Sequence, residues 1–598
     1  MNDLLKRPTL VFDGECSFCR VWIERWRQLT GDRLLYTSYQ EIGTSFPDLP
    51  QKDFASAVSL FVPGGEVRSG AHAVFSLLAL LPGKRWMLWL YLHIPGLALV
   101  ANTVYRVIAR HRSFCFWATR ALWGIPIEIE TFRIATWLFL RTLGAVYLIA
   151  FASFAAQAAG LMGSHGISPV AEFLRSLREY YGAVYWQVPT IFWLNPGDGM
   201  IKAVGLGGIG LSVLLLLGVR WRILRIALFV LYLSLVTAGQ EFMGYQWDAL
   251  LLEAGFLAIL LGSSPIVIWL YRWLLFRLLF LSGAVKLASG DPSWHHFTAL
   301  PVHYETQPLP TPLAWYVYQL PSWFQRGSVG FVFLVELVVP FLIFAPRRVR
   351  FFAARAIIVL QILILLTGNY AFFNLLTISF CLFLVDDAFF RRGLPKAVSR
   401  SADSATTYKT SRVWSKAICG SFAALALFVG SFQVVRTFGV HWSVADAAMR
   451  SVSPFQIINS YGLFAVMTTT RPEIVIEGSN DGVTWLAYEF KYKPGDFTRR
   501  PAWVAPHQPR LDWQMWFAAL GDYQSEPWII RFMARLLQGS PEVLRLLGRN
   551  PFPDGPPHYV RATRYQYGFT TPAERKSTGA WWSRELKGVY VPAISLRN

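Results

Sequence analysis

The sequence predicts a polytopic α-helical membrane protein of about nine spans, with a compact α/β unit at its N-terminal end and a β-sandwich domain with a helical insertion at its C-terminal end. Three observations predict it. Of 598 residues, 54% are hydrophobic and only 15% charged, below the roughly one-quarter share of soluble proteins, and the mean hydropathy is +0.37. The apolar excess gathers into long runs in the middle of the chain, while both ends carry the shorter patterns of folded aqueous domains. The 25 Trp and 24 Tyr suit long membrane–water boundaries. The net charge of +20 does not point to nucleic acid, because the basic residues fall in short clusters between apolar runs, as membrane-flanking charges do. Five cysteines in this length exclude a disulfide-stapled scaffold.

Residues 1–124 form the first expected domain. Its opening is no signal peptide, since the apolar stretch is short and Asp13 and Glu15 interrupt it. Leu10–Phe12 reads as a strand, turned at Gly14, and Cys16–Leu29 as a helix with Phe18, Val21, Trp22 and Trp26 at helical spacing. Further strands are expected at Leu34–Tyr39 and Ala57–Val62, the latter turned at Pro63-Gly64-Gly65, and helices from Ala71, Lys84 and Leu97. The apolar run Trp86–Ala109 is broken by Pro95-Gly96 and is not expected to span.

Residues 125–437 form the membrane domain. Spans are expected at about 134–158, 201–219, 222–240, 247–266, 268–288, 328–345, 351–368, 370–385 and 414–436, a straight span needing about 20 apolar residues. Connections holding Arg220, Arg222 and Arg225, then Arg347, Arg348, Arg350 and Arg355, then Arg391–Lys416, are basic, whereas Gln240–Trp247 and Gly368–Phe373 carry no Lys or Arg. The positive-inside rule therefore puts the basic loops and the N-terminal domain in the cytoplasm, and an odd span count puts the C-terminal domain outside. Gly163–Met200 and Ser289–Gly327 become long outer segments. No internal repeat or pair of broken helices marks a transporter.

Residues 438–598 form the outer domain. Glu473–Glu477 and Trp485–Tyr492 alternate like half-buried strands around the turn Ser479-Asn480-Asp481-Gly482. Helices are expected at Asp512–Leu520, Trp528–Leu537 and Pro541–Leu547, and strands at Tyr559–Tyr567 and Val589–Ile594.

The sharpest chemical motif is Asp13-Gly14-Glu15-Cys16-Ser17-Phe18-Cys19, after a strand and at a helix start. The unpaired N–H groups there favour a thiolate, so Cys16 is the expected attacking sulfur and Cys19, one turn on, the resolving one; Asp13 and Glu15 oppose that charge. The alternatives are half a zinc site or two packed cysteines, and zinc would want a second ligand pair that the sequence lacks. FDGECSFC, with Arg68-Ser-Gly-Ala-His-Ala73, resembles the DCC family of thiol-disulfide oxidoreductase-like proteins over about the first 120 residues. The resemblance implies a thioredoxin-like fold and a redox-active dithiol, although no proline opens the strand at Ala57 as in ordinary thioredoxins. In a cytoplasmic domain the pair would work as reductant or sensor, with a thiol reductant as partner. Cys381 and Cys419 either relay electrons or are small apolar helix residues, and Cys115 carries no signal.

Ionisable residues inside apolar runs come next: Arg141, Glu253, Lys286 and Glu336. The plain reading is structural pairing, Arg141 with Glu253 or Lys286 with Glu336; the functional one makes a desolvated Lys286 a base. His295, His296 and Asp291 lie just beyond, but without a further His or Cys no metal site is expected. Asp248 and Glu253 are five residues apart on one helix, about 140° around its axis, which excludes a paired-carboxylate glycosidase site; Asp248 is expected to cap the helix and Glu253 to point deeper.

These segments carry a second resemblance. QWDALLLE at 246–253, SGAVKLASGDPSW at 282–294, HYETQPLPTPLAWY at 303–316, SPFQIINSYGLFAVMTTTRPEIVIEGSNDGVTW at 453–485, PRLDWQMWFAAL at 509–520 and NPFPDGPPHYVRA at 550–562 resemble the lipase maturation factor family, over about residues 130–598. The resemblance implies a membrane-bound folding and assembly factor whose partner is an exported lipase-like client, held by an outer domain at unassigned residues within 438–598. The dithiol domain is not expected in animal members and suggests a bacterial inner-membrane protein, or one of the endoplasmic reticulum membrane in a eukaryote. A shorter likeness, Ser-Gly-Ala-Val-Lys286-Leu before Trp294, is to vitamin K-dependent γ-carboxylase-like membrane proteins, in which the matching lysine acts as the base. The rival function is thus a membrane oxidoreductase or modifying enzyme using Cys16 and Cys19 or Lys286. No bound cofactor is expected beyond the dithiol; membrane lipid is an expected partner, and the sequence assigns no quinone or lipid ligand. Trp503, Trp513, Trp516, Trp528, Trp581 and Trp582 offer aromatic surface to a client, most of it expected to be core, and with no cysteine after Cys419 the outer domain itself exchanges no thiols.

Overall fold

The computed structural model describes residues 7–41, 56–63, 66–125, 127, 129–405 and 413–596. They divide into two compact units, one of residues 1–131 with 345–352, the other of residues 132–344 with 353–598. In the first, β1 (Thr9–Phe12) runs parallel to β2 (Leu35–Ser38) and antiparallel to β3 (Ser59–Phe61), which pairs antiparallel with β4 (Val67–Ser69), giving the order β2-β1-β3-β4. A parallel pair requires a crossover, and the helix Ser17–Thr30 supplies it. Leu10, Phe12, Ile23, Leu60, Ala73 and Leu77 close the small core. The expected helices appear as Ala71–Ala79, Arg85–His93 and Leu97–Arg110, followed by Arg112–Leu122. Strand β4 was not expected; it is three residues with no alternation to read. Of the expected turn Pro63-Gly64-Gly65, the two glycines lie outside the described residues.

In the second unit all nine expected segments are helical over at least part of their length. Among the described residues of the chain, six helices are long and apolar enough to cross a membrane: Arg133–Ala155, Asp198–Leu217, Ile266–Ala288, Ser322–Leu342, Arg347–Thr367 and Lys416–Arg436. The number reaches eight if two pairs bent by 106° each count as one span, namely Phe373–Leu384 with Asp387–Gly393, and Arg85–His93 with Leu97–Arg110, which breaks at the Pro95-Gly96 step. The shortfall from nine has a plain origin. Arg222–Ala238 and Gln246–Leu260 are helices of 17 and 15 residues, short of the roughly 20 that a straight crossing needs. Helix packing is close where glycine permits it: a Cβ on Gly144 would meet the Leu216 backbone nitrogen at 2.7 Å.

The C-terminal strands are β5 (Arg471–Ser479), β6 (Leu486–Ala487), β7 (Glu489–Phe490), β8 (Leu547–Arg549), β9 (Tyr559–Phe569) and β10 (Trp582–Ile594). They make an antiparallel sheet of order β10-β9-β5-β6 and a separate β7-β8 ribbon. The expected strand Trp485–Tyr492 divides at Tyr488, where the chain changes partner from β5 to β8. Where a β-sandwich was expected, the layer facing the sheet is helical among the described residues. Pro527–Leu537 turns Ile529, Phe532, Met533 and Leu536 to one side, and with Met515 of Arg510–Ala519 they pack on Ile474, Ile476, Val560 and Ala562. The helical insertion thus occupies the face a second sheet would have covered.

This sheet domain is fastened to the membrane helices by buried charge. Arg510, at the start of its helix, places its guanidinium on both oxygens of Asp248 (2.9 and 3.0 Å) and on the Phe242 carbonyl (2.7 Å), and Tyr232 donates to the same carboxylate. Asp248 therefore clamps rather than caps: Tyr245 is the N-cap of Gln246–Leu260, without a side-chain bond. Deeper in the bundle Glu253 pairs with Arg277 and accepts from the Asn459 backbone N–H and the Tyr461 hydroxyl, both at 2.8 Å. Arg277 also donates to the Asn459 carbonyl (2.9 Å) and to Gln433 (3.1 Å). Arg471 donates to the carbonyls of Glu305, Gln307 and Pro308, Asn369 holds Ala502, Val504 and Ala505, and Gln157 and Ser153 hold Gln508. Ser153, Gln157, Asp248, Glu305 and Asn369 belong to helix ends and connections remote from Arg133, Arg222 and Arg347, which open their helices at the basic ends.

Removing one member of a buried ion pair leaves the other charge unpaired, at a cost of about 3–5 kcal/mol, whereas removing both costs less. Arg510→Met should therefore lower the thermal unfolding temperature of the detergent-solubilised protein more than the Asp248→Leu/Arg510→Met double variant does. Equal losses would show that the pair is not a coupled clamp.

Candidate functional site

In the first unit the motif lies between β1 and the start of the helix Ser17–Thr30. Cys16 is the N-cap of Ser17–Thr30, and its Sγ accepts from the Cys19 backbone N–H at 3.4 Å. Burial, and then the hydrogen bond and charge of Cys16, push the Cys19 thiol up to about 12, so Cys19 keeps its proton at neutral pH. Gly14 is required by close approach: a Cβ there would meet the Ser38 Cβ at 2.8 Å. Asp13 accepts from the Glu15 backbone (3.1 Å), from Gln40 (3.0 Å) and from Arg112 (3.2 Å). Its charge, expected to oppose a thiolate, is thus compensated by Arg112. Tyr105 adds a further neighbour: its hydroxyl accepts from the Val58 N–H (2.9 Å), just after Ala57, the position at which the expected strand opens without a proline. Sequence reasoning missed Arg112, Gln40 and Tyr105. They come from distant segments and carry no local signal.

In the second unit the four intramembrane residues are sorted differently. Lys286 donates to both oxygens of Glu336, at 2.6 and 2.9 Å, with the Trp294 ring 5.2 Å from its ammonium. Lys286 with Glu336 is one of the two pairings that the sequence offered. Arg141 and Glu253 do not meet. Arg141 lies against Gly218 at a basic end, stacked 3.5 Å from the Trp137 ring, while Glu253 takes Arg277, a third intramembrane cation that the sequence reading passed over. Glu336 sits in a π-helical turn, Leu334–Val338, just before Pro340. His295 and His296 are exposed, whereas Asp291 caps the turn Pro292–His295 and accepts from the Met467 N–H. Among the described residues no group of three or more His, Cys, Asp or Glu is placed to hold a metal. Cys381 is buried, its sulfur 3.8 Å from the Thr377 carbonyl. Of the six tryptophans considered in the C-terminal domain, Trp513, Trp516, Trp528, Trp581 and Trp582 are core, and Trp503 is exposed.

Apolar spans, a dithiol unit and a charge-clamped sheet domain together define an integral membrane protein with an appended redox module. Comparison with known proteins agrees part by part. The lipase maturation factor transmembrane domain matches residues 134–392, the lipase maturation factor C-terminal domain residues 457–592, and the DCC1-like thiol-disulfide oxidoreductase domain residues 10–118. Lipase maturation factor 2 of Homo sapiens is 37% identical over 590 residues, covering 78% of this chain and 83% of that one. The Gallus gallus protein of the same name is 37% identical, covering 77% and 81%. Lipase maturation factor 1 of Bos taurus is 35% identical, covering 80% and 92%. The chain belongs to the lipase maturation factor family. No solved structure matches it significantly.

The thiol geometry generates a direct expectation. With its neighbour held protonated, Cys16 should alkylate at least about tenfold faster than Cys19 at pH 8, by peptide mapping after brief iodoacetamide treatment of the reduced protein. Faster labelling of Cys19 would reverse the assignment of roles.

Proposed function

We propose that this protein is a membrane platform that helps an exported lipase-type client reach its folded, active assembly. Residues 438–598 present the client-handling surface outside the cytoplasm, 125–437 hold it in the membrane, and 1–124 form a cytoplasmic thioredoxin-like dithiol domain. The family relationship across both the membrane helices and the sheet domain carries this reading. The orientation rests on charge: the sheet domain is fastened at the helix ends remote from the basic clusters, and basic ends stay in the cytoplasm. A bacterial inner membrane suits the fused dithiol domain.

In the dithiol domain Cys16 attacks a partner disulfide, forming a mixed disulfide and releasing one partner thiol. Cys19 then gives up its proton and displaces the second partner sulfur, so the partner leaves reduced and Cys16–Cys19 is oxidised. A cytoplasmic thiol reductant restores the pair. Lys286 is engaged by both Glu336 oxygens, which favours a structural over a basic role and weighs against the γ-carboxylase-like reading.

Co-expression with a secreted lipase separates the readings. Cys16→Ser/Cys19→Ser should leave secreted lipase activity within about twofold of the parent, whereas Arg471→Met, which releases the buried anchor on the 305–308 loop, should lower it several-fold. The opposite pattern, with activity lost through the thiols and kept without Arg471, would favour a membrane oxidoreductase.

A further inference from the structure

A cavity of about 480 Å³ opens beside Lys286, between the helices Ile266–Ala288, Ser322–Leu342 and Arg347–Thr367. It falls within the roughly 300–1,000 Å³ of small-molecule sites. Its walls are mostly apolar, with Ser282, Ser328 and Gln361 among them, and its main polar cluster, Lys286, Glu336, His303 and Tyr370, lies at the Lys286 end of the stretch Leu278–Lys286. Eight residues separate Leu278 from Lys286 along one helix, so the apolar part reaches about 12 Å below the polar end. Trp323, Phe324 and Leu363 line it while exposed on the apolar flank of the bundle, which makes the mouth lateral, toward lipid.

The polar end is electrically neutral. The one cation among the described lining residues is neutralised at both oxygens of Glu336, leaving one N–H of the ammonium for another acceptor. The Tyr370 hydroxyl donates to Gln307 Oε1 (2.9 Å), so at 2.7 Å it accepts from His303 Nε2, which makes the imidazole the Nε2–H tautomer and leaves Nδ1 as the acceptor of a ring that lines the cavity. Burial, then the Lys286 charge, push His303 down to about 3, so the ring is uncharged at neutral pH. A ligand head that donates one hydroxyl and accepts one N–H satisfies this end. A carboxylate or phosphate would enter as an uncompensated buried charge.

We propose that the cavity binds an uncharged, hydroxyl-bearing, single-chain amphiphile of the monoacylglycerol class, entered from the bilayer with its head at Lys286 and His303 and its chain along Leu278 and Leu279. The π-helical turn that carries Glu336 serves this site by bringing the carboxylate onto Lys286, and turns of this kind recur at functional sites.

The test uses the full chain in phosphatidylcholine nanodiscs with a diazirine-bearing monoacylglycerol. Cross-links should map to peptides holding Leu278–Lys286 and Leu360–Thr367, and unlabelled monoacylglycerol should compete about tenfold better than the ionised fatty acid of the same chain length. Gly327 lines the mouth with nothing within 4 Å of a built Cβ, so Gly327→Phe should close it without disturbing the fold. That variant should lose about tenfold of the cross-linking, and His303→Phe about fivefold, each with its unfolding temperature checked against the parent. Even labelling of every lipid-facing helix, equal competition by the fatty acid, or full labelling of a folded Gly327→Phe protein would overturn the proposal.

Discussion

The structure depends on how two carboxylates of one short helix are neutralised. Asp248 and Glu253 project from Gln246–Leu260 into the membrane domain's interior, where an unpaired charge is costly, and each takes an arginine: Asp248 receives Arg510 from the sheet domain, and Glu253 receives Arg277 from a neighbouring helix. The remaining lone pairs of Glu253 are filled by the backbone and side chains of Asn459 and Tyr461. The segment that brings Asn459 and Tyr461 must enter the bundle for the Glu253 charge to be satisfied. The sheet domain is therefore bound to the membrane helices through their electrostatics, not hung from the last span by a linker.

That constraint organises the rest. With Arg471 reading the carbonyls of residues 305, 307 and 308 and Asn369 holding the 502–505 segment, these connections are fixed in the same framework that closes the end of the Lys286 cavity. Phe464, which lines that cavity, and Met467, whose N–H is held by Asp291, follow directly on the Asn459–Tyr461 segment. A factor that presents a surface to an incompletely folded client gains from such rigidity, because the surface does not reorganise when the client arrives.

What was legible in the sequence was local. Cys16 at a helix start, Cys19 one turn on and Gly14 at the turn between strand and helix follow from spacing within eight residues, and the helical insertion showed its period in Ile529, Phe532 and Leu536. What was not legible needed a partner far along the chain. Asp248 reads as a helix cap until Arg510 is placed beside it, Asp13 reads as a thiolate's opponent until Arg112 reaches it, and Arg141 was matched with Glu253 because sequence gives no depth in the membrane. The C-terminal domain contains the expected strands, but how they are covered was not legible for the same reason: alternation shows that a strand has a buried face, but not whether strands or helices bury it.

The central claim, that the sheet domain is locked to the bundle by buried charge, is tested most directly by hydrogen–deuterium exchange of the full chain in nanodiscs. The account predicts that amides of 456–462 and 508–513 exchange as slowly as those of the helix Ile266–Ala288. Exchange there within seconds, at the rate of an exposed linker, would contradict it.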